Sequence, residues 1–495
     1  MSYATLVATF TRLYRFQHLA AIASWDQAAM MPSHGNDARG AALAELAVLV
    51  HDTLAAPALR DAFAAARAAT GQPGADPVER ASLREMERQW RAATVVPASL
   101  VEAKALAGSR CEHAWRTQRK ANDWAGFLAN WRPVVDLARK EAAHLAEASG
   151  LSPYDALVDR FEPGMTSAAL VPIFAELKRW LPPLVEQVVA KQQREDVIAP
   201  VGPFPVERQR ALGLDLMKQL GFDFDGGRLD VSTHPFCGGV AEDVRITTRY
   251  RDDDFVQAMM GIVHETGHAR YEQRLPRAWV QLPLGQARSM GVHESQSLSF
   301  EMQLGRSRPF LERIAPLVRA QLGDQPAFTA DNLARIYTRV RPGFIRVDAD
   351  ELTYPMHVIL RFEIERALIE KQLEPEDVPA LWDEKMRDYL GLDTRGNYEN
   401  GCLQDIHWTD GSFGYFPSYT LGAMYAAQYF AAIRARVPDL DARIAAGDLQ
   451  PIFDWFEANI WSQASLWETP ELIERATGAP LSPAHFERHL RTRYL

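Results

Sequence analysis

Phe255-Val256-Gln257-Ala258-Met259-Met260-Gly261-Ile262-Val263-His264-Glu265-Thr266-Gly267-His268-Ala269-Arg270-Tyr271 carries two signals at once. Phe255, Val256, Met259, Met260, Ile262 and Val263 recur at helical spacing, which predicts a helix. Asp252, Asp253 and Asp254 precede it, where a helix N-terminus favours acidic side chains for capping and for the macrodipole. Inside stands His264-Glu265-Thr266-Gly267-His268, an H-E-x-x-H block. Positions i and i+4 lie one turn apart on a helix face, so both imidazoles can grip one Zn²⁺ at about 2.0–2.1 Å. Glu265 follows the first ligand and can reach a metal-bound water as its base. A chance match and a buried structural histidine pair are the bland alternatives. A helix this apolar has little use for polar groups that do nothing.

Two histidines do not complete a catalytic zinc site, which takes three protein ligands and an open position. Gln273 and Arg274 stand where an H-E-x-x-H-x-x-G-x-x-H motif would continue, so the metzincin reading fails. Met290-Gly291-Val292-His293-Glu294-Ser295-Gln296 opens a second helical stretch running to about Gly305. Glu294 lies far enough along the chain for a connection and a return beside the first helix. His264, His268 and Glu294 then form a gluzincin ligand set, unless Glu294 is a solvated helix-start carboxylate.

The chain has 495 residues, 47% hydrophobic and 24% charged, an ordinary globular composition able to bury a large core. That length suits two or three average domains or one large helical unit. A net charge of −10 and the lack of a long basic run exclude a nucleic-acid surface. Cys111, Cys237 and Cys402 are odd in number and far apart, so a reduced compartment is expected and each thiol reads as a packed residue. Neither a leader pattern nor a run of about 18 apolar residues occurs. A cytoplasmic chain, with no membrane and no nucleic-acid partner, is the expectation.

Helical periodicity and Ala-, Leu- and Glu-rich composition predict helices over about 2–30, 38–70, 77–95, 97–119, 122–149, 167–196 and 205–220. Gln72-Pro73-Gly74 and Ala199-Pro200-Val201-Gly202-Pro203 mark loops. No internal repeat or long low-complexity linker separates folded units. From Arg228 to Tyr250 the pattern changes: Val244-Arg245-Ile246-Thr247-Thr248 alternates as a strand does. A small sheet beside the zinc helix is predicted, and this strand is a candidate edge to which an extended peptide adds.

Further segments are dense in polar and aromatic residues: His234-Pro235-Phe236, Asp243 to Thr248, Ile345-Arg346-Val347-Asp348-Ala349-Asp350-Glu351, Gly401-Cys402-Leu403-Gln404-Asp405-Ile406-His407-Trp408, and Ser412-Phe413-Gly414-Tyr415-Phe416-Pro417-Ser418-Tyr419. With the zinc block, His293-Glu294-Ser295-Gln296 and Ser24-Trp25-Asp26-Gln27, this ordered set resembles the thermostable carboxypeptidase family (carboxypeptidase Taq type, metallopeptidase family 32) over nearly the whole chain. Phe362, where Tyr is more usual, is a slight departure. The resemblance implies a mostly α, saddle-like metallopeptidase subunit with a long central groove. It also implies a single catalytic domain over 1–495, a homodimer, and broad-specificity metallocarboxypeptidase activity on peptides with a free C-terminus.

Such an enzyme must hold an α-carboxylate, and the planar fork of arginine pairs with both of its oxygens. Arg346 is the candidate; its alternative role is an ion pair with Asp348, Asp350 or Glu351. His407 and Tyr415 are candidate donors to the oxyanion, matching the His-then-Tyr order of related gluzincins. Tyr419 would assist there or at the carboxylate, with plain packing the alternative for both tyrosines. Glycines around Tyr415 suggest a mobile loop. His234 is either a substrate contact or a structural histidine beside Pro235. Zn²⁺ is the expected metal, with Co²⁺ a possible substitute for the same N/O donors. The leading reading is a zinc carboxypeptidase in which Glu265 activates the metal's water. A gluzincin oligopeptidase or dipeptidyl carboxypeptidase is the alternative enzyme. A peptide-binding scaffold is disfavoured, because a structural zinc site needs no base.

Overall fold

The computed structural model describes every residue except Met1, Gly71, Gln72, Pro73 and Ala75, so the loop expected at Gln72-Pro73 lies outside the described residues. Four helices open the chain: α1 (Ser2–Ala29), α2 (Asn36–Ala55), α3 (Pro57–Thr70) and α4 (Pro77–Thr94). The single helix expected over 38–70 is two, because Pro57 removes a helical N–H and starts α3 afresh. Next come α5 (Ala98–Gln118), α6 (Trp124–Ser149), the short α7 (Pro153–Val158) that periodicity did not reveal, α8 (Ser167–Gln192) and α9 (Val206–Gln219). After the sheet follow α10 (Val256–Arg274), α11 (Met290–Leu298), α12 (Arg308–Leu322) and α13 (Ala330–Tyr337). Then come α14 (Tyr354–Ile369), α15 (Val378–Leu390), α16 (Pro417–Arg436) and α17 (Leu440–Ala446). The chain closes with α18 (Gln450–Asn459), α19 (Thr469–Thr477) and α20 (Pro483–Tyr494).

The expected small sheet is present, with β1 (Gly227–Val231), β2 (Cys237–Val240) and β3 (Asp243–Thr248) in the order β1-β3-β2. One expectation about it is wrong. β3 pairs with β1 in parallel and with β2 antiparallel, so Arg245–Thr248 is the middle strand and has no free edge for a peptide. Alternation shows that a strand is half-buried but not which strands flank it.

Leu6, Phe10, Leu13, Phe63, Leu83 and Met86 give α1 to α4 a small core of their own. Val244 and Ile246 of β3 pack with Leu229, Met217 and Ile262 between the sheet and α9 and α10. The large remaining core runs through α6, α8, α10 to α16 and α18 to α20. α10 is buried along most of its length, through Ala258, Met259, Met260, Ile262 and Val263 in its apolar first half and Ala269 and Tyr271 in its second. Asp254 accepts from Val256 N at 2.8 Å at its start, and Ser289 caps α11 by accepting from Val292 N at 3.0 Å. Buried Glu162 also accepts from Gly291 N on α11.

Two glycines set the spacing of the central helices. A Cβ on Gly267 of α10 would stand 2.6 Å from the Gln296 carbonyl oxygen and 2.7 Å from Ser297 Cα of α11. A Cβ on Gly422 of α16 would stand 2.8 Å from Glu294 Cβ and Cγ. α11 is thus wedged between two helices whose backbones approach it without side chains. Gly267→Ala should push α11 outward at a cost of about 1–3 kcal/mol, the usual penalty for overpacking. Denaturant unfolding of the variant should show that loss; an unchanged midpoint would mean that the helices are not held this closely.

Candidate active site

His264 and His268 stand one turn apart on α10, their ring centroids 4.9 Å apart. Glu294 enters from α11, its Oε2 3.5 Å from His268 Nε2 and 4.0 Å from His264 Nε2. One ligand atom from each of the three falls within 4.8 Å of the others. Donors about 2.0–2.1 Å from a tetrahedral ion lie about 3.4 Å apart, so this set fits a divalent cation with modest contraction. Its electrostatics agree. Burial opposes a proton on His264, but Glu301, Glu294 and Glu265 outweigh it and carry its pKa up to about 10. The field that holds a proton there also favours a metal ion. Burial keeps His268 neutral, well below the usual imidazole range, with a lone pair available for ligation.

Glu265 is 7% exposed and lines a cleft of about 1540 Å³ together with His268, His293, Glu294, Tyr415 and Tyr419. Burial, assisted by Glu294 against the pull of His264, pushes its carboxyl up to about 7. A carboxyl poised near neutrality can both accept and return a proton.

Two contacts were not foreseen from sequence. His264 Nδ1 lies 2.9 Å from Glu301 Oε2, and Arg306 pairs with the other oxygen of that carboxylate. Burial works against charge on Glu301, yet Arg306 and His264 bring its pKa down to about 2. The sequence did hold a signal, because Glu301 falls seven residues after Glu294, on the same face of a continuing helix. His293 stacks on His268 at 4.6 Å and meets Glu272 through Nε2 at 2.8 Å. Its place one residue before Glu294 gives no hint of that packing.

A second group gathers around α16 and the chain before it. The His407 ring stacks on Tyr415 at 5.5 Å and meets Tyr419 edge-on at 6.5 Å. The two tyrosines contact each other at 5.2 Å. Arg346 packs its guanidinium 5.1 Å from the Tyr419 ring centre and 5.2 Å from that of Phe416. Its Nε donates to Asp405 at 3.0 Å and its Nη1 to the Tyr354 hydroxyl at 2.6 Å. Arg361 grips the other Asp405 oxygen at 2.5 Å.

The ion-pair partners that sequence offered for Arg346 are therefore replaced. Asp350 accepts from the backbone N–H groups of Arg341, Leu352 and Thr353. Glu351 turns to His489, Arg493 and Tyr494, and Asp405 arrives from a distant loop. Arg346 and His407 do not line the cleft among the described residues. Burial, with Arg346 adding to it, lowers His407 to about 4, leaving a neutral ring able to donate.

Three further expectations meet the structure here. His234 is exposed and apart from the cleft wall, its carbonyl accepting from Ser232 Oγ at 2.6 Å, while Pro235 and Phe236 beside it do line the cleft. The Gly-rich segment before Tyr415 is pinned rather than free. Buried Glu365 accepts from Gly414 N at 2.9 Å and from Trp408 Nε1 at 2.8 Å. Cys237 lines the cleft from β2, where burial holds its thiol well above its ordinary value.

The chain matches the family described as Carboxypeptidase Taq (M32) metallopeptidase over residues 5–494. It is 39% identical to thermostable carboxypeptidase 1 of Thermus thermophilus, the match covering 98% of each chain. Carboxypeptidase 1 of Bacillus subtilis is 34% identical, over 98% of this chain and 96% of its own. Among solved structures, metallocarboxypeptidase 1 of Trypanosoma cruzi superposes with a TM-score of 0.98 at 48% identity, covering 100% of this chain and 99% of that one. With a half-buried His-His-Glu donor set, a carboxyl beside it and full-length kinship to named carboxypeptidases, this chain is a peptide-bond hydrolase and belongs to the carboxypeptidase Taq (M32) family of metallopeptidases.

Proposed function

We propose that the chain is a zinc carboxypeptidase that releases single residues, with broad specificity, from peptides bearing a free C-terminus. The observation that carries this reading is Glu265, buried at the cleft wall beside His264, His268 and Glu294. Zinc suits the N/O donor set, and Co²⁺ would substitute. When bound, zinc polarises the scissile carbonyl and makes water a stronger nucleophile.

Glu265 takes a proton from the attacking water as its oxygen bonds to the carbonyl carbon, then returns it to the amine nitrogen as the C–N bond breaks. His407 and Tyr415 are the donors for negative charge developing on the carbonyl oxygen. A neutral His407 stacked on Tyr415 supports that assignment.

Arg346, assisted by Tyr419, is the proposed receptor for the substrate's α-carboxylate. Asp405 occupies Nε, so the remaining side of the fork faces Tyr354 and Tyr419. A carboxylate entering past the tyrosines would displace the Tyr354 hydroxyl there. His234, on the rim beside Pro235 and Phe236, would reach substrate only outside the cleft proper. The mixed lining of small, apolar and charged residues fits broad specificity. One catalytic unit over 1–495, paired as a homodimer in the cytoplasm, completes the proposal. The net charge of −10 speaks against nucleic acid as a partner, and no single described helix is long and apolar enough to cross a membrane.

Metal analysis and steady-state kinetics test the centre together. Glu294→Ala should lose bound metal, whereas Glu265→Gln should keep metal and fold yet lose about 10²–10⁴-fold in kcat. Turnover near normal in Glu265→Gln would move the base elsewhere. Mass analysis of products should show one residue released per cut; release of two would favour a dipeptidyl carboxypeptidase.

Arg346→Ala should lose roughly 10–150-fold in kcat/KM on free-acid peptides, the cost of about 1.5–3 kcal/mol for a charge-assisted pair. On matched C-terminal amides the wild type should be slow and the variant nearly as slow. An undiminished preference of the variant for the acid would assign carboxylate recognition to another residue.

A further inference from the structure

Beyond Leu298, α11 does not end. It runs on as a π-helical turn over Ser299–Gly305, a distortion that recurs at functional sites. That turn presents Glu301 to the far nitrogen of His264 at 2.9 Å. A carboxylate on the distal N–H of a ligating histidine fixes its tautomer and ring orientation and strengthens its other nitrogen as a donor.

The arrangement does not stop at Glu301. Arg306, at the end of the same turn, pairs with Glu301 and donates to the Tyr337 carbonyl at 3.1 Å. Burial works against charge on Arg306, but Glu301, Tyr494 and Glu351 hold it firmly protonated. Glu351 is buried and accepts from His489 Nε2 at 2.6 Å, Tyr494 OH at 3.0 Å and Arg493 Nη1 at 3.2 Å. Those three donors all come from α20. Arg493 also reaches the carbonyl of Gln303, inside the π turn, at 3.5 Å. Paired side chains therefore lead from His264 through Glu301 to Arg306, and the turn that carries them is contacted at Gln303 by α20, a helix that contributes nothing to the cleft lining among the described residues.

We propose that Glu301 is the positioning residue for His264 and that α20, acting through Glu351 and Arg493 on the π turn that carries Glu301, sets how tightly the centre holds its divalent cation. This rests on the reading of His264, His268 and Glu294 as the ligands. Arg306 on its outer oxygen fixes the direction in which Glu301 faces His264. Glu351 holds Arg493, and Arg493 reaches the π turn at the Gln303 carbonyl, so without Glu351 the turn that carries Glu301 and Arg306 would lose that anchor. The role is structural support for a ligand and involves no contact with substrate.

The test is metal affinity of the full-length protein, measured by competition of Zn²⁺ with a chromophoric chelator, and the visible spectrum of the Co²⁺ form. Glu301→Gln should weaken affinity roughly 10–100-fold and alter the Co²⁺ spectrum, with secondary structure unchanged. Glu351→Gln should weaken it less but in the same direction, on the order of threefold or more. Should that buried substitution disturb folding, Tyr494→Phe removes one donor to Glu351 and takes its place. Because Glu351 acts through Glu301, the double variant should bind metal no more weakly than Glu301→Gln alone. Wild-type affinity in Glu301→Gln, while Glu294→Ala has lost metal, would overturn the positioning role and leave the ligand assignment standing. Full additivity in the double variant would overturn the link to α20. Wild-type affinity in Glu294→Ala would instead sink the ligand assignment itself.

Discussion

The closeness of α10 and α11 is the constraint on which the centre depends. Gly267 removes the one side chain that would hold the helices apart, and Gly422 does the same from α16 behind Glu294. With both helices so near, a short Glu side chain from α11 spans the gap to two imidazoles on α10. Neither α10 nor α11 is free to slide, because each packs into the main core through Met259, Met260, Val263 and Val292. The geometry of these three donors is therefore a consequence of helix packing, and the H-E-x-x-H block supplies only part of it.

That packing also buries an excess of negative charge. Glu265, Glu294 and Glu301 converge on one pair of histidines, with Arg306 the nearest fixed cation. Burial raises the carboxyls of Glu265 and Glu294, whereas Arg306 and His264 hold Glu301 ionised. Gathering such groups in a low dielectric is unfavourable without a counter-charge. A divalent cation answers that imbalance directly, so metal binding and the stability of this region are linked.

The opposite balance holds around Asp405. Arg346 and Arg361 share its single carboxylate, which leaves a net positive pole buried among Phe416, Tyr419 and Trp382. Tyr419 packs against this cationic pole and, with Tyr415, lines the same cleft as Glu265, His268 and Glu294.

How much of this was legible in the sequence follows from the range of each interaction. His264, Glu265 and His268 are related by one helical turn, and helix periodicity is local, so their convergence could be read directly. Most helix boundaries were equally local, and the split at Ala56–Pro57 was written in the proline. Glu294 needed one further assumption, that the next helix returns beside α10, and the family resemblance supplied the same answer. Asp405 meeting Arg346, α20 meeting Glu351, Glu365 pinning the segment before Tyr415, and β3 lying between two strands are contacts between elements far apart in sequence. No spacing rule encodes such contacts, because they are selected by which surfaces exclude water together once the helices pack. The sequence alone therefore determined the helical elements and the chemical types of the candidate donors. Only tertiary packing decided which buried charges face one another, since a side chain's partner depends on the neighbour the fold brings, not on the residues beside it in the chain.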